Sequence, residues 1–298
     1  MSLKRLYLID ASIYIFRAYF SLPDTFVDNE GNPSNAVYGF ADFLARFLAQ
    51  AQARYIAVAF DESLTTSFRN EFFPDYKANR ELPPPELEAQ LKACQDISEA
   101  LGLSSFVSER YEADDLIGTL AHGMRPHGFS MIFVSGDKDL AQLIQGKDVW
   151  WDFAREHEFR APDIRDKLGV APNQIVDFIA LTGDKVDNIP GVDGIGKKTA
   201  SQLLKRFGSL DAIYARLNEV PTMKIRAAEK VRMLLADAKD SAYLSQRLAR
   251  IAVDAPIDFS PATLARRSVD QAEVAALCDR FNFGEAMRKR LLNSKLQV

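Results

Sequence analysis

Residues 5–10, Arg5-Leu-Tyr-Leu-Ile-Asp10, decide the fold of this chain. A short apolar run ending on an acid predicts a buried strand that delivers a carboxylate at its carboxyl end. The design returns downstream. Tyr55-Ile-Ala-Val-Ala-Phe60 runs into Asp61, and Met131-Ile-Phe-Val134 opens into Ser135-Gly-Asp137-Lys-Asp139, where Leu140, Leu143 and Ile144 predict a short helix. Val149-Trp-Trp-Asp-Phe153 reads as a fourth strand. Between the strands lie helical stretches: Ala36 to Ala53 with Asn35 as its cap, and Glu86 to Leu101 stopped by Gly102. Strands alternating with helices predict an α/β fold whose central sheet is largely parallel and flanked by helices. Sites in such sheets form beyond the carboxyl ends of the strands, where Asp10, Asp61 and Asp137 are placed.

From about residue 160 the strand signals fade. Helices are expected at 163–168, 173–182, 197–207, 209–217, 223–236, 239–249, 270–281 and 283–293. The chain therefore divides into an α/β part, 1–160, and a helical part, 161–298. No coiled-coil repeat, low-complexity segment or internal duplication is present.

At 298 residues the chain can bury a substantial core, and 47% hydrophobic with 26% charged residues is ordinary for a globular protein. No apolar run approaches the roughly 18 residues a membrane span needs, so no membrane partner is expected. Cys94 and Cys278 match no metal spacing and point to a reducing cytoplasm. His122, His127 and His157 form no ligand motif, which excludes a conventional zinc site. The net charge of −4 argues against nucleic acid until its distribution is read. Lys197 to Arg232 holds nine Lys/Arg against Asp211, Glu219 and Glu229, a local +6 in a chain that is acidic elsewhere.

Carboxylates recur at element ends: Asp10, Asp61, Glu112, Asp114, Asp115, Asp137, Asp139, Asp184 and Asp187. Each alone reads as a cap, a turn residue or a surface charge. The stretch Tyr111-Glu-Ala-Asp-Asp115 departs from that reading. Leu116, Ile117, Leu120 and Ala121 follow at helical spacing, with Gly123 and Pro126 ending the run. Three acids in one first turn, Glu112 and Asp115 about 60° apart, repel unless a cation sits among them. Together the acids resemble hard oxygen ligands for Mg²⁺ or Mn²⁺. Two such ions about 4 Å apart activate water and stabilise the leaving oxygen of a phosphodiester.

Two further stretches point to a phosphate partner. Ile189-Pro-Gly191-Val-Asp-Gly194-Ile-Gly196-Lys197-Lys198-Thr199 offers tight turns and backbone N–H groups, with two lysines at the next helix start. A nucleotide P-loop is excluded because Lys198 stands where Ser or Thr is required and no strand leads in. A helix–hairpin–helix grip on a DNA backbone, spanning 174–207, fits better. Residues 63–85 mix Phe68, Phe72, Phe73 and Tyr76 with Arg69, Lys77 and Arg80, then end in Pro83-Pro84-Pro85; such an excursion predicts a functional arch, set at 63–93. If Tyr76-Lys-Ala-Asn-Arg80 is helical, Tyr76 and Arg80 share a face, suited to a stacked nucleotide and its phosphate.

In combination these stretches resemble the 5′–3′ exonuclease and flap endonuclease family, especially the N-terminal exonuclease domain of bacterial DNA polymerase I. The matching runs are Leu8-Ile-Asp10-Ala-Ser12, Ala59-Phe-Asp61, Tyr76–Arg80, Tyr111–Leu120, Ser135–Gln142 and Leu181-Thr-Gly-Asp-Lys-Val-Asp-Asn-Ile-Pro-Gly191, with the hairpin to Ala200. The resemblance implies a resolvase- or PIN-like fold and two Mg²⁺ ions, with Mn²⁺ as substitute. Asp10, Asp61, Glu112 and Asp114 would surround one ion; Asp114, Asp137, Asp139 and Asp184 would surround the second. Asp115 and Asp187 match further family carboxylates. Lys77 and Arg80, joined by Arg17, would contact the scissile phosphate, with Tyr76 stacking near the 5′ terminus. The hairpin, with Gly191, Gly194, Gly196, Lys197, Lys198 and Thr199, would hold duplex DNA and a K⁺ ion. The implied substrates are 5′ flaps, nicked or gapped duplex, 5′ ends and RNA primers on DNA, cleaved by a monomer in the nucleoid-associated cytoplasm. The length leaves no room for polymerase domains, so either a free-standing nuclease or a cut fragment is expected, and Met1 and the tail favour the first. A non-catalytic DNA-junction binder and a ribonuclease on a related fold are the alternatives.

Overall fold

The computed structural model describes residues 4–61, 67–81 and 83–294. Its strands are β1 (Lys4–Asp10), β2 (Tyr55–Ala59), β3 (Ser104–Phe106), β4 (Phe129–Val134), β5 (Val149–Asp152) and β6 (His157–Phe159). They form one sheet in the order β3-β2-β1-β4-β5-β6, parallel throughout except for the β5–β6 pair. The strand order reverses at β1, so the carboxyl ends of β1 and β4 frame a crevice. The four strands expected from sequence are present. β3 and β6 were not foreseen: three residues, such as Ser104-Ser-Phe106, carry no readable period.

Helices α1 (Ala11–Ser21), α2 (Asn35–Ala51), α3 (Pro85–Ala100) and α4 (Ala113–Met124) belong to the α/β part. The helical part holds α5 (Ala161–Leu168), α6 (Ile175–Thr182), α7 (Lys197–Phe207), α8 (Leu210–Ala215), α9 (Ala228–Asp237), α10 (Lys239–Ala249), α11 (Gln271–Arg280) and α12 (Glu285–Leu292). α1 was missed because it starts directly after Asp10 with no turn residue to announce it. The cap of α2 is Ser34, not Asn35. Asn35 is already helical, and its amide donates to the carbonyls of Tyr19 and Leu22, stitching the end of α1 to the start of α2. The short helix expected after β4 is a 3-10 turn, Asp139–Leu143.

Alternation along β1 divides the core. Leu6 and Leu8 face α4, where they meet Leu116, Ile117 and Leu120, while Tyr7 and Ile9 face Phe40, Phe47 and Leu48 of α2. Burying side chains of this size contributes about 1.5–3 kcal/mol each. The α4-side cluster continues without a break into Ile179, Leu203, Leu235 and Leu248 of the helical part. The change near residue 160 is thus one of secondary structure, with a shared core across it. On the other face, α11 and α12 return to pack Leu277, Phe281 and Met287 under α2 and α3. No helix among the described residues is long and apolar enough to cross a membrane.

Candidate active site

The crevice at the carboxyl ends of β1 and β4 is a cleft of about 430 Å³. Asp10, Asp61, Glu112, Asp114, Asp137, Asp139 and Asp187 all line it, from segments spread over most of the chain. Local hydrogen bonds aim them. Ser135 Oγ donates to Asp10 Oδ2 at 2.7 Å and accepts from Asp137 N, while Ser12 Oγ accepts from Asp61 N. Asp61 Oδ1 takes Ala113 N at 2.8 Å, tying β2 to the first turn of α4. Asp184 lies beside the cleft, where Lys138 Nζ donates to its Oδ2 at 3.2 Å and also stands 3.6 Å from Asp139.

Asp115 is the exception. Its side chain is fully buried, and Arg69 grips both oxygens, Nη1 to Oδ2 at 2.8 Å and Nη2 to Oδ1 at 2.9 Å. Ala252 N and Glu112 N donate to the same carboxylate. With these donors on it, Asp115 has no oxygen turned to the cleft. The expectation that it serves a metal is corrected: it is an internal counter-ion in the first turn of α4.

The acids of the cleft fall into two electrostatic classes. Burial, then the charge of Asp61, raises the Asp10 carboxyl to about 7. Burial, then Asp137, raises Asp139 to about 7, and Asp114 is pushed well above its ordinary value by burial and by Asp137 and Asp10. Asp61 is raised by burial and by Glu112. Glu112 goes the other way. Burial acts to raise it, but Lys77 and Arg69 outweigh that and hold it below the usual range.

The segment that supplies Lys77 is not helical. Residues 74–80 form turns, and Lys77 itself has φ of +57°, so Tyr76 and Arg80 share no helix face. Lys77 pairs with Glu112 and Arg80 with Asp187. Backbone and amide contacts dock the segment on the acidic loop: Lys77 N to Asp187 O, Asn79 Nδ2 to Lys185 O, and Asn188 Nδ2 to Asp75 O. Tyr76 is buried, with its hydroxyl donating to Glu112 Oε2 at 3.1 Å. A buried ring offers no free face for a base, so the stacking expected of Tyr76 is corrected to support of Glu112. Of the arch expected at 63–93, residues 63–66 and 82 lie outside the described residues. Arg17 is exposed on α1 and lines the cleft from the opposite wall.

The hairpin is built on two touching turns. Gly183 and Gly191 have φ of +67° and +66°, and a Cβ on Gly191 would stand 2.2 Å from Gly183 N. Ser245 Oγ accepts from Gly191 N and Ser241 Oγ donates to its carbonyl, so α10 clamps this turn. Gly194 is also left-handed, whereas Gly196 has φ of −88° and caps α7 with open space around it. Lys197 and Lys198 are exposed at that helix start, with Thr199 half-buried behind them.

Comparison with known proteins accounts for both halves of this site. The family described as 5′-3′ exonuclease, N-terminal resolvase-like domain, matches residues 5–169, and its companion, the C-terminal SAM fold, matches residues 170–272. The chain belongs to the 5′–3′ exonuclease family. A 5′-3′ exonuclease of Buchnera aphidicola is 33% identical over 283 residues, covering 95% of this chain and 98% of that protein. DNA polymerase I of Bacillus caldotenax is 39% identical over 290 residues, 96% of this chain and 32% of that protein. The chain thus spans about a third of the length of the DNA polymerase I relatives it matches. Among solved structures, T5 5′-exonuclease with bound zinc aligns at TM-score 0.69 and 19% identity over 97% of both chains. The catalytic core of Rad2 with a DNA substrate aligns at 0.65 and 17%, over 98% of this chain and 92% of that one. At those identities the likeness is one of fold.

For a 5′–3′ exonuclease-family chain the donor set fits divalent metal. All candidate ligands are oxygens, Asp10, Asp114 and Asp137 have no ion pair among the described residues, and the buried Asp139 Oδ1, though 3.6 Å from Lys138, has no hydrogen-bond partner. Among the described residues no three acids, His or Cys are already gathered as a direct ligand set for one ion. Sequence reasoning missed the roles of Arg69, Ser12, Ser135 and Lys138. Ser12, Ser135 and Lys138 lie inside the matching runs without a role being assigned, and Arg69 showed only as a cation amid the aromatic run Phe68–Tyr76.

Proposed function

We propose that this chain hydrolyses DNA phosphodiesters near 5′ ends, as an exonuclease and a structure-specific flap endonuclease, with Mg²⁺ as cofactor and Mn²⁺ as its substitute. The observation that carries this is the gathering of a crowded acid cluster and three cations, Lys77, Arg80 and Arg17, in one cleft. Divalent ions held there supply charge for the attacking and leaving oxygens. Asp10, Asp114, Asp137 and Asp139 would hold them, together with Asp61, Glu112, Asp184 and Asp187. Lys77 exchanges Glu112 for the scissile phosphate and Arg80 exchanges Asp187 for the same group, each trading one anion for another. Arg17 approaches from α1. The hairpin at Gly191–Gly196, with Lys197, Lys198 and Thr199, holds the duplex and takes a K⁺ ion on its backbone carbonyls. The substrates are 5′ flaps, nicked and gapped duplex, and RNA primers on DNA. The chain acts as a monomer in the nucleoid-associated cytoplasm, in replication and repair.

The test is cleavage of a labelled 5′-flap duplex with Mg²⁺ by wild type, Asp114→Ala and Lys77→Ala. Wild type is expected to release 5′-phosphorylated products, and each variant to lose about 10²–10³-fold in rate. Tight, metal-independent binding without turnover would establish a non-catalytic junction binder instead. Preference for RNA over DNA would establish a ribonuclease.

A further inference from the structure

Arg69 is 3% exposed and spends every donor it has. Its Nη1 donates to Glu112 Oε2 at 2.9 Å and to Asp115 Oδ2; its Nη2 donates to Asp115 Oδ1 and to Arg250 O. The remaining Nε donates to Leu248 O at 2.9 Å. One guanidinium thereby joins the first turn of α4 to the end of α10, the helix that clamps the hairpin. Its central carbon lies 4.6 Å from the Phe68 ring centroid, so the group is also packed against an aromatic wall.

The two oxygens of Glu112 are held differently. Oε2 takes Arg69 and the Tyr76 hydroxyl, both buried, whereas Oε1 takes only Lys77. A lysine on a flexible four-carbon stem exchanges partners readily; an arginine with every donor fixed does not. We infer that Arg69 is a positioning residue: it anchors Glu112 by Oε2 so that Oε1 faces the cleft for an ion, and it fixes the acid cluster relative to the hairpin helices. Asp115 is the counter-ion that keeps Arg69 in place. This inference rests on the metal-dependent reading above. It adds that the orientation of one ligand is set by a residue of the cleft wall whose donors are all committed to protein groups.

The experiment separates positioning from folding. Removing one partner of a buried pair strands a charge, while replacing both with apolar groups of similar size does not. Four proteins are compared: wild type, R69K, R69M and the double variant R69M/D115L. Thermal midpoint is measured without metal, Mn²⁺ binding by electron paramagnetic resonance, and kcat and KM on a 5′-flap duplex. R69M is expected to lower the midpoint sharply. R69M/D115L is expected to regain part of it, since no charge is stranded although the backbone groups the pair served stay unpaired, yet to bind Mn²⁺ about 10-fold more weakly and to turn over about 10–100-fold more slowly, with KM unchanged. R69K keeps the charge without the fork and is expected to lower the midpoint less than R69M does, yet to lose Mn²⁺ affinity. Recovery of Mn²⁺ affinity along with stability in R69M/D115L, or wild-type Mn²⁺ binding in R69K, would overturn the inference. The Mn²⁺ measurement needs no DNA. Wild-type failure on the flap substrate would therefore strike the proposed function alone and leave the Arg69 result standing.

Discussion

The two halves of the cleft use one residue type for opposite ends. On one side Glu112 and Asp187 are matched by Lys77, Arg80 and Arg69, and Glu112 is held ionised. On the other, Asp10, Asp114 and Asp137 crowd together with no ion pair among the described residues, Asp139 has only the half-exposed Lys138 at 3.6 Å, and burial with mutual repulsion drives three of the four upward. The first half contributes to the stability of the protein by itself. The second costs stability until a cation arrives, which is what selectivity for a cofactor over a bare fold looks like in electrostatic terms.

The largest effect should come from Asp114→Asn. Removing a carboxylate from the crowded half should lower activity about 10³-fold yet raise the thermal midpoint of the metal-free protein, because repulsion is relieved. Glu112→Gln should lower both. A metal-free midpoint that drops for Asp114→Asn would erase the distinction between the halves.

The next effect is a pH dependence. Folded-state values near 7 for Asp10 and Asp139, above the ordinary 3.8, mean that the folded chain holds those protons more tightly than the unfolded one. Stability from these groups is then fully present below about pH 4 and is lost as pH rises toward 7 and beyond. Divalent metal removes the penalty, so Mg²⁺ should raise the midpoint more at about pH 8 than at about pH 5.5. Calorimetry at the two pH values checks this, and an equal shift at both would break the argument.

The smallest effect belongs to Asp187→Asn. Its partner Arg80 is substantially exposed, and such pairs contribute about 0–1 kcal/mol, so stability should barely move. Chemical denaturation would show it, and a large loss would mean that this rim pair is as structural as the Arg69–Asp115 pair.

Much of this was legible in the residues, and the exceptions share a cause. β1, β2 and β4 announce themselves by apolar runs ending on polar residues, and their shared direction places the acids without further information. The two three-residue strands and α1 carry no local period or punctuation. Asp115 was misassigned because helical geometry sets it close to Glu112, while the residue that claims it lies 46 positions upstream in a stretch with no regular pattern. Local sequence states which way a side chain can point; it does not state what meets it there. Tyr76 failed for the same reason. Its neighbours promised an exposed ring, and only the fold reveals that Glu112 draws its hydroxyl inward.

The return of α11 and α12 bears on how this nuclease can be trimmed. The family match stops at residue 272, but Leu277, Phe281, Met287 and Leu291 beyond it cover α2 and α3, the helices whose Phe40, Phe47 and Leu91 belong to the same core. A fragment cut at that boundary would keep every acid and the hairpin while baring an aromatic surface to water. Its first failing would be precipitation, well before any loss of chemistry.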